Sequence, residues 1–531
     1  MLNISFPEHL LDQLLPVREK LVADKVASRI SNKDFTLWGK AAESESAIRL
    51  GWVNSASDTL HLVAEISTLH KDLVAKGINR IVLCGMGGSS LAPEVITKTA
   101  KLPLVVLDST DPAQVQKAVA ENLAHTAVVV SSKSGSTVET DSQKRLFEKA
   151  FTDAGIEKTE RIFIVTDPGS PMEAASKADG YKVFNADPNV GGRYSALTAF
   201  GMVPSGLAGV NIVELLEQAQ EAAEYLSEDD IDNEAVILGA AMARTKSQAG
   251  FKNKLGIISD AATLPDFADW AEQLIAESTG KDQKGILPVV LGEQSHETMQ
   301  PSDDLLLIAV SSSEEYQSQA EILISGEIGE QFLLWEYATA IASRLIEVNP
   351  FDQPDVESAK IAARGMLAEK SKGVESIFAV DGIGIAGYNL ELNESMSLSV
   401  VLSSLFSNLG DKSYVAIHAY LDRTSNIATD RLREAIAAAT NRPTTFGWGP
   451  RFLHSTGQYH KGGPRTGVYI QLVSPDEQDV AVPGRDFTFG ELISSQAAGD
   501  AKVLADLGRP VLTLTLHNLS EDISKIMTAI G

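Results

Sequence analysis

The sequence predicts an α/β protein with doubly wound parallel sheets and a helical arm at its N-terminus. Short apolar runs alternate with helical patterns from residue 77 to residue 195, and a second such series follows. This alternation is typical of parallel sheets covered by helices on both faces. The chain has 531 residues, which is too long for one ordinary core, so we expect two or three domains.

The first 60 residues have helical character, and we assign residues 1–60 to the arm. The first α/β subdomain then spans residues 61–207. Its strands are predicted at 81–84, 104–107, 128–130, 162–165 and 181–184, and its main helices at 93–99, 112–122 and 141–154. In a parallel sheet of this kind, ligands bind beyond the carboxyl ends of the strands.

We assign residues 208–531 to a second α/β subdomain with a C-terminal extension. It opens with an Ala- and Glu-rich helical stretch at 212–249. Its strands are predicted at 255–258, 287–291, 305–310, 377–380, 415–418, 468–472 and 511–516. These strands are less regularly spaced than those of the first subdomain. The sequence indicates no function for residues 365–445.

Composition excludes several classes of protein. Hydrophobic residues make up 44% of the chain and charged residues 22%, as in soluble globular proteins. The formal net charge of −26 disfavours nucleic acid and anionic membranes as partners, and no apolar run reaches membrane-spanning length. The lone cysteine, Cys84, lies in an apolar strand and cannot form an internal disulfide, so we expect a cytoplasmic protein.

Two loops rich in glycine and serine follow predicted strands. In the first, Gly87 and Gly88 allow a close backbone approach, and Ser89 and Ser90 add hydroxyl donors. Because Ser90 replaces the last glycine of G-x-G-x-x-G, this loop is not a dinucleotide fingerprint. Taken alone, it fits an ordinary tight turn between a strand and a helix better than a ligand site.

The second loop carries more hydroxyl groups than helix capping needs. Four of them crowd the end of one strand, just before a helix: Ser132, Ser134, Ser136 and Thr137. Because these side chains precede only one helix, a bound phosphate explains them better than capping alone. Two such loops on neighbouring strands can converge on one anion.

Arg193 and Glu277 are candidates for chemistry near that anion. Arg193 follows two glycines, which would let the backbone bring its guanidinium group close to a ligand. A surface salt bridge is the alternative interpretation. Glu277 ends an amphipathic helix that Gly280 terminates, where the helix dipole and apolar neighbours favour a general base. The alternative for Glu277 is a solvated glutamate at a helix end, and Lys360 by itself fits a lysine on a helix surface.

Two histidines, His454 and His460, lie in a glycine-rich segment with a basic tip. This composition indicates a site within an otherwise acidic protein. Metal binding is the rival interpretation, but no H-E-x-x-H motif, paired cysteines or clustered acidic ligands accompany them. We therefore expect neither a metal nor another cofactor.

With these residues identified, the chain resembles the glucose-6-phosphate isomerase (phosphoglucose isomerase) family. The resemblance covers roughly residues 60–360 and implies two sugar-isomerase (SIS-type) subdomains that share a cleft. It rests on the segments Asn189-Val190-Gly191-Gly192-Arg193-Tyr194-Ser195 and Asn349-Pro350-Phe351-Asp352-Gln353-Pro354-Asp355-Val356-Glu357-Ser358-Ala359-Lys360, the Gly88-Ser89 turn, the loop 132–140, and Glu277-Ser278-Thr279-Gly280-Lys281.

The resemblance also implies roles for residues at the matching positions. Glu277 would carry a proton between C2 and C1 through a cis-enediol, and Arg193 would stabilise its negative charge. Lys360 and a histidine would open the sugar ring, with Gln353 supporting the cleft. The sugar phosphate would be bound by Gly88, Ser89, Ser132, Lys133, Ser134 and Thr137.

The chain departs from the family pattern at three points. Asp355 stands where a glycine is usual, some 170 residues follow Lys360, and the histidine string typical of bacterial members lies far downstream, at His454. The length and this string resemble the isomerase half of bifunctional transaldolase–isomerase proteins. We assign ring opening to His454, with His460 and His296 in reserve. The family is usually dimeric with a shared histidine, whereas His454 could belong to the same chain as Glu277.

The expected activity is therefore interconversion of glucose 6-phosphate and fructose 6-phosphate. A non-catalytic sensor of sugar phosphates is an alternative, but it leaves Arg193, Glu277 and Lys360 without a purpose. Isomerisation of mannose 6-phosphate is a further alternative that the sequence does not separate. The isomerase step of amino-sugar synthesis is less compatible, since it needs a glutaminase partner and Cys84 is no glutaminase nucleophile.

Overall fold

The computed structural model describes residues 2–248, 250–368, 373–475 and 478–531, and excludes the side chains of residues 357–360, 368, 427 and 428. Within this part of the chain, an N-terminal arm is followed by three α/β units, each built around one sheet. No helix of the described residues is both long enough and apolar enough to cross a membrane.

The arm is mainly helical, as predicted. It buries Leu10, Leu14 and Leu21 of its first helix in the main core, and its short strand joins the edge of the second sheet. The elements of the arm are β1 (Asn3–Ser5), α1 (Glu8–Ala23), α2 (Val26–Ser31), α3 (Glu43–Ser46) and α4 (Ser55–Asp58).

The first unit contains a sheet of five parallel strands in the order β3-β2-β4-β5-β6. Its elements are α5 (Leu60–Ala75), β2 (Arg80–Gly85), α6 (Leu91–Thr99), β3 (Val105–Leu107), α7 (Pro112–Ala120), β4 (Thr126–Ser131), α8 (Val138–Asp153), β5 (Ile162–Thr166), α9 (Pro171–Ala178), β6 (Lys182–Asn185) and α10 (Ala199–Leu207). Successive residues of β4 pack on opposite faces of the sheet. Val129 belongs to the main hydrophobic core, whereas Val128 and Val130 belong to a separate one. Because both faces are covered, the sheet is doubly wound as predicted.

The second unit has a sheet in the order β1-β12-β11-β9-β10, parallel except for β1. Its elements are α11 (Ile212–Leu226), α12 (Glu234–Arg244), β7 (Lys246–Ser247), β8 (Gly250–Phe251), β9 (Lys254–Ser259), α13 (Phe267–Thr279), β10 (Leu287–Leu291), α14 (His296–Met299), β11 (Leu305–Val310), β12 (Ile322–Ser325) and α15 (Ile328–Ile346). Strands β7 and β8 form a separate two-stranded hairpin.

The third unit has a mixed sheet in the order β13-β14-β18-β17-β15-β16, in which β13 and β14 run antiparallel to their neighbours. Its elements are α16 (Val356–Ala368), β13 (Phe378–Val380), β14 (Ile383–Tyr388), α17 (Leu398–Phe406), β15 (Tyr414–Tyr420), α18 (Arg431–Thr440), β16 (Thr444–Trp448), α19 (Gly457–Gly462), β17 (Gly467–Val473), α20 (Phe489–Asp506), β18 (Val511–Thr515) and α21 (Leu519–Ile530).

The strands predicted after residue 208 as one series are thus divided between two sheets. The predicted strand at 305–310 coincides with β11, whereas β12, β14 and β16 were not anticipated. The predicted domain boundaries stay predictions, although α10 ends at Leu207. Parts of all three units meet near the carboxyl ends of β2, β3 and β4, and the candidate site lies there.

Candidate active site

The glycine-rich turn after β2 packs against two other turns of the protein. Gly87 adopts φ +55°, and a Cβ atom there would lie 2.4 Å from the carbonyl oxygen of His454. A Cβ atom on Gly88 would lie 2.0 Å from the carbonyl oxygen of Gly192. The two glycines therefore let three backbone segments approach one another. Ser89 is buried in the same turn, and phosphate binding by Gly88 and Ser89 stays a prediction.

The serine-rich loop after β4 borders a cavity of about 360 Å³. Ser132 Oγ donates to Thr137 Oγ1 at 3.0 Å and accepts from the backbone N–H of Gly135 at 3.2 Å. Thr137 precedes α8 but does not cap it through its side chain. Ser134 and Thr137 line the cavity where α8 begins. Hydroxyl groups beside a helix N-terminus supply the donors that an anion needs.

The ammonium group of Lys133 is engaged elsewhere. Its Nζ lies 2.5 Å from Asp167 Oδ2 and 3.5 Å from the carbonyl oxygen of Pro188. Burial lowers the pKa of Lys133, and the hydrogen bond to Asp167 works in the opposite direction. Among the described residues that line the cavity, Lys133 does not occur. Its placement beside the phosphate stays a prediction.

Arg193 and Glu277 lie next to each other in the protein interior, and neither is among the described residues that line the cavity. Arg193 belongs to the 3-10 helix Gly192–Tyr194, and Glu277 lies near the end of α13. Arg193 Nη1 is 3.7 Å from Glu277 Oε1, and the two residues are 3% and 5% exposed. Arg193 Nε also donates to Ser278 Oγ at 3.0 Å. The pair thus places a fixed positive charge beside a carboxylate where water has little access.

Arg193 and Lys281 together hold the segment 349–353. Arg193 donates to the carbonyl oxygen of Pro350 at 2.6 Å and to Gln353 Oε1 at 3.1 Å. Lys281 Nζ donates to the carbonyl oxygen of Asn349 at 2.6 Å. Burial, followed by repulsion from Arg193, lowers the pKa of Lys281 to about 8. These bonds fix Gln353, which lines the cavity.

His454 reaches the same cavity from the third unit. It ends the 3-10 helix Arg451–His454, and its Nε2 lies 3.0 Å from Glu139 Oε1 in the first turn of α8. Its carbonyl oxygen accepts from Gln273 Nε2 at 2.8 Å, and that amide also donates to Glu277 Oε2 at 3.2 Å. His454 and Glu277 of one chain are therefore linked through a single side chain.

The two reserve histidines lie outside the described lining of the cavity. His460 is 1% exposed, and its Nδ1 lies 3.0 Å from the hydroxyl group of Tyr414. Burial lowers the pKa of His460 well below its usual range. His296 Nε2 lies 3.0 Å from Asn441 Oδ1. The geometry therefore favours His454 over both.

Helix α16 supplies another wall of the cavity through Ala363, Arg364 and Leu367. Lys360 belongs to the same helix, but its side chain lies outside the described residues. Asp355, which replaces the usual glycine just before this helix, accepts from Gln458 Nε2 at 2.7 Å.

Several residues of the site were not predicted: Gln273, Glu139, Gln496 and Lys281. Gln273 precedes Glu277 by one helical turn, so helical spacing could have indicated that they share a face. Glu139 lies two residues after Thr137, in a loop that was otherwise recognised. Gln496 Nε2 donates to Glu139 Oε1 at 2.6 Å across a large separation in sequence, and no local pattern indicates this contact.

The fold and the site together define an α/β enzyme of the phosphosugar-isomerase class. The family model for phosphoglucose isomerase matches residues 52–288, a range that includes both serine loops, Arg193 and Glu277. A probable glucose-6-phosphate isomerase of Haloarcula marismortui is 30% identical over 367 residues, which cover 59% of this chain and 84% of that relative. The chain belongs to the phosphoglucose isomerase family.

Two further comparisons agree with this assignment. A glucose-6-phosphate isomerase of Clostridium tetani is 37% identical over 165 residues, or 30% of this chain and 36% of the relative. The crystal structure of a glucose-6-phosphate isomerase from Chlamydia trachomatis superposes with a TM-score of 0.55 at 18% identity, covering 70% of this chain and 89% of that one. The structural likeness shows a shared fold.

Proposed function

We propose that this protein interconverts D-glucose 6-phosphate and D-fructose 6-phosphate through a cis-enediol. Family membership supports the reaction. The observation that carries the mechanism is the buried pair Arg193–Glu277, 3.7 Å apart, which Gln273 connects to His454 of the same chain.

In the proposed isomerisation, Glu277 acts as the general base. Its carboxylate removes the proton from C2 of the open-chain aldose, while the carbonyl oxygen at C1 gains a proton, and a cis-enediol forms. Glu277 then returns its proton to C1 as the C2 hydroxyl loses one, which leaves the ketose. Charge develops on the enediol oxygens during both steps, and Arg193 would stabilise it.

His454 would act earlier, in ring opening. This step transfers a proton from the anomeric hydroxyl group and delivers one to the ring oxygen. Glu139 Oε1 lies 3.0 Å from Nε2 and fixes the orientation of the imidazole. The family resemblance assigns Lys360 to the same step.

Ser134 and Thr137 would bind the phosphate where α8 begins. Hydroxyl donors and the positive end of a helix dipole suit a dianion, even in a protein with a net charge of −26. Anchoring the phosphate would fix C1 and C2 relative to the base, and such positioning contributes much of an enzyme's rate.

The test of this proposal is proton exchange at C2. Wild-type protein should exchange the C2 proton of glucose 6-phosphate with solvent and form fructose 6-phosphate. Glu277→Gln should reduce both rates by roughly 100-fold or more, because the amide cannot accept the proton. Absence of turnover in the wild type would refute the activity, and an unchanged rate in Glu277→Gln would refute the assignment of the base.

Glu272→Gln is the matched control on the same helix. Burial, with the neighbouring Asp269, raises the pKa of Glu272 well above its usual range. The substitution therefore replaces a carboxyl group whose charged form burial disfavours with an amide of similar size. Its isomerisation rate should stay within about threefold of the wild type.

A further inference from the structure

Two arginines of the third unit form ion pairs with two carboxylates of the first unit. Arg451 Nε lies 2.7 Å from Asp108 Oδ2, and its Nη2 also contacts Glu94. Arg423 Nη1 lies 3.0 Å from Glu94 Oε1, and its Nε lies 3.3 Å from Asp108 Oδ1. Each arginine thus contacts both carboxylates, and we call this set the arginine clamp.

The arginine clamp is largely shielded from water. The side chains of Asp108, Glu94, Arg451 and Arg423 are 1%, 9%, 12% and 17% exposed. Burial opposes ionisation of Glu94, but Arg451 and Arg423 hold its pKa well below the usual range. Removing one arginine would weaken the compensation of both buried carboxylates, which is costly even though the other arginine and, for Glu94, Lys98 would remain. The clamp therefore fixes its attached backbone more firmly than an exposed salt bridge could.

Arg451 begins the short helix that His454 ends, so one turn of backbone separates the clamp from the imidazole. Between them, Phe452 stacks on His418 with ring centroids 3.9 Å apart. At the far end, Gly87 of the first unit lies against the His454 backbone. This short helix is consequently held to the first unit at both ends, by the clamp and by the contacts of His454.

We propose that Arg451 is a positioning residue for His454. Its ion pairs with Asp108 and Glu94 set the distance between the imidazole and Glu139, and thereby the efficiency of ring opening. The inference rests on the proposed function, because it assumes that His454 takes part in the isomerisation. Arg451 itself lines a different cavity from the one that Ser134, Thr137 and His454 share, so its effect is indirect.

Arg423 provides a matched control within the clamp. It binds the same two carboxylates, and its loss should destabilise the contact between the units in a similar way. However, Arg423 lies in the loop after β15, far from His454 in sequence, and does not belong to the short helix. A purely structural role predicts equal effects of Arg451→Met and Arg423→Met on activity, whereas a positioning role predicts unequal ones.

The decisive experiment is a double-mutant cycle of Arg451→Met with His454→Ala, measured as kcat for glucose 6-phosphate. In the wild-type background, Arg451→Met should lower kcat by about 10- to 100-fold, because a small displacement of a catalytic group has a large effect. In the His454→Ala background, the same change should cost less than about threefold, since no imidazole remains to be positioned. Arg423→Met should cost less than about threefold in both backgrounds.

Stability and ligand binding are measured beside activity. Arg451→Met and Arg423→Met should lower the unfolding temperature by similar amounts, and both should bind 5-phospho-D-arabinonate, an acyclic analogue of the enediol, as the wild type does. If Arg451→Met fails to fold, Arg451→Lys replaces it, with a smaller loss of kcat expected. Equal losses in both backgrounds, or in both arginine variants, would overturn the proposal. Failure of the proposed function is distinct, because wild-type protein would then show no turnover.

Discussion

Replacing Gly88 with alanine should displace Arg193 without touching any side chain of the site. A Cβ atom built on Gly88 lies 2.0 Å from the carbonyl oxygen of Gly192, whereas real Cβ atoms essentially never come within 3.0 Å of such an atom. The carbonyl oxygen of Gly192 is a backbone atom, and the position of the new Cβ atom is fixed by the backbone of residue 88. The two turns must therefore separate by about 1 Å. Arg193 follows Gly192 directly and must move with it.

The displacement is large on the scale of the site. Arg193 Nη1 is 3.7 Å from Glu277 Oε1, and the same guanidinium donates to Pro350 and Gln353. A misplacement of about 1 Å in such an arrangement costs about 100-fold in rate. We therefore expect Gly88→Ala to lower kcat for glucose 6-phosphate by about 100-fold, and stability by about 1–3 kcal/mol. Steady-state kinetics and urea unfolding measure the two effects.

Gly192→Ala is the matched control for this substitution. A Cβ atom on Gly192 meets no other atom within 4 Å, and its φ does not lie in the left-handed region. The variant should keep kcat within about threefold of the wild type. A Gly88→Ala protein with wild-type kcat would refute the reasoning, because it would show that the two turns can separate without moving Arg193 from Glu277.

Two further predictions concern the core and the assembly. Glu336 is fully buried, neither of its carboxyl oxygens has a hydrogen-bond partner among the described residues, and burial raises its pKa well above the usual 4.5. The free energy of unfolding of the wild type should therefore fall as pH rises above about 4.5. At about pH 8, Glu336→Gln should be more stable than the wild type by about 1–3 kcal/mol in urea unfolding, whereas at about pH 4 it should not be. Mixing Glu277→Gln and His454→Ala proteins should restore no activity, because Gln273 links His454 to Glu277 of the same chain; restored turnover would contradict this expectation.

The sequence predicted the parts of the site that lie on the first sheet. The loops at 87–90 and 132–137 follow neighbouring strands, and parallel strands end at one edge of a sheet, so their proximity could be inferred. The pairing of Arg193 with Glu277 rested on the family resemblance, and the structure brings the two together. Their roles in catalysis stay predictions.

Local patterns predicted four of the six strands of the third sheet, namely β13, β15, β17 and β18, but missed β14 and β16. Strand β14 contains two glycines and β16 contains one, which weakens the apolar pattern of a strand. Gly87 and Gly88 were expected to allow a close backbone approach, and in the structure they lie beside the backbone of His454 and Gly192. The two glycines in the sequence indicate that another group lies close to this backbone, but they do not indicate which group it is.

The arrangement of the site explains this limit of sequence reasoning. Arg193 of the first unit donates to Ser278 of the second, and Gln273 of the second unit donates to His454 of the third. Glu139 of the first unit lies beside His454 of the third. Arg193, Glu277 and His454 thus each contact a unit other than their own. These contacts depend on how the three units pack against one another, which no local sequence pattern indicates. We therefore expect a substitution at such a contact to change the reaction rate without altering a catalytic side chain.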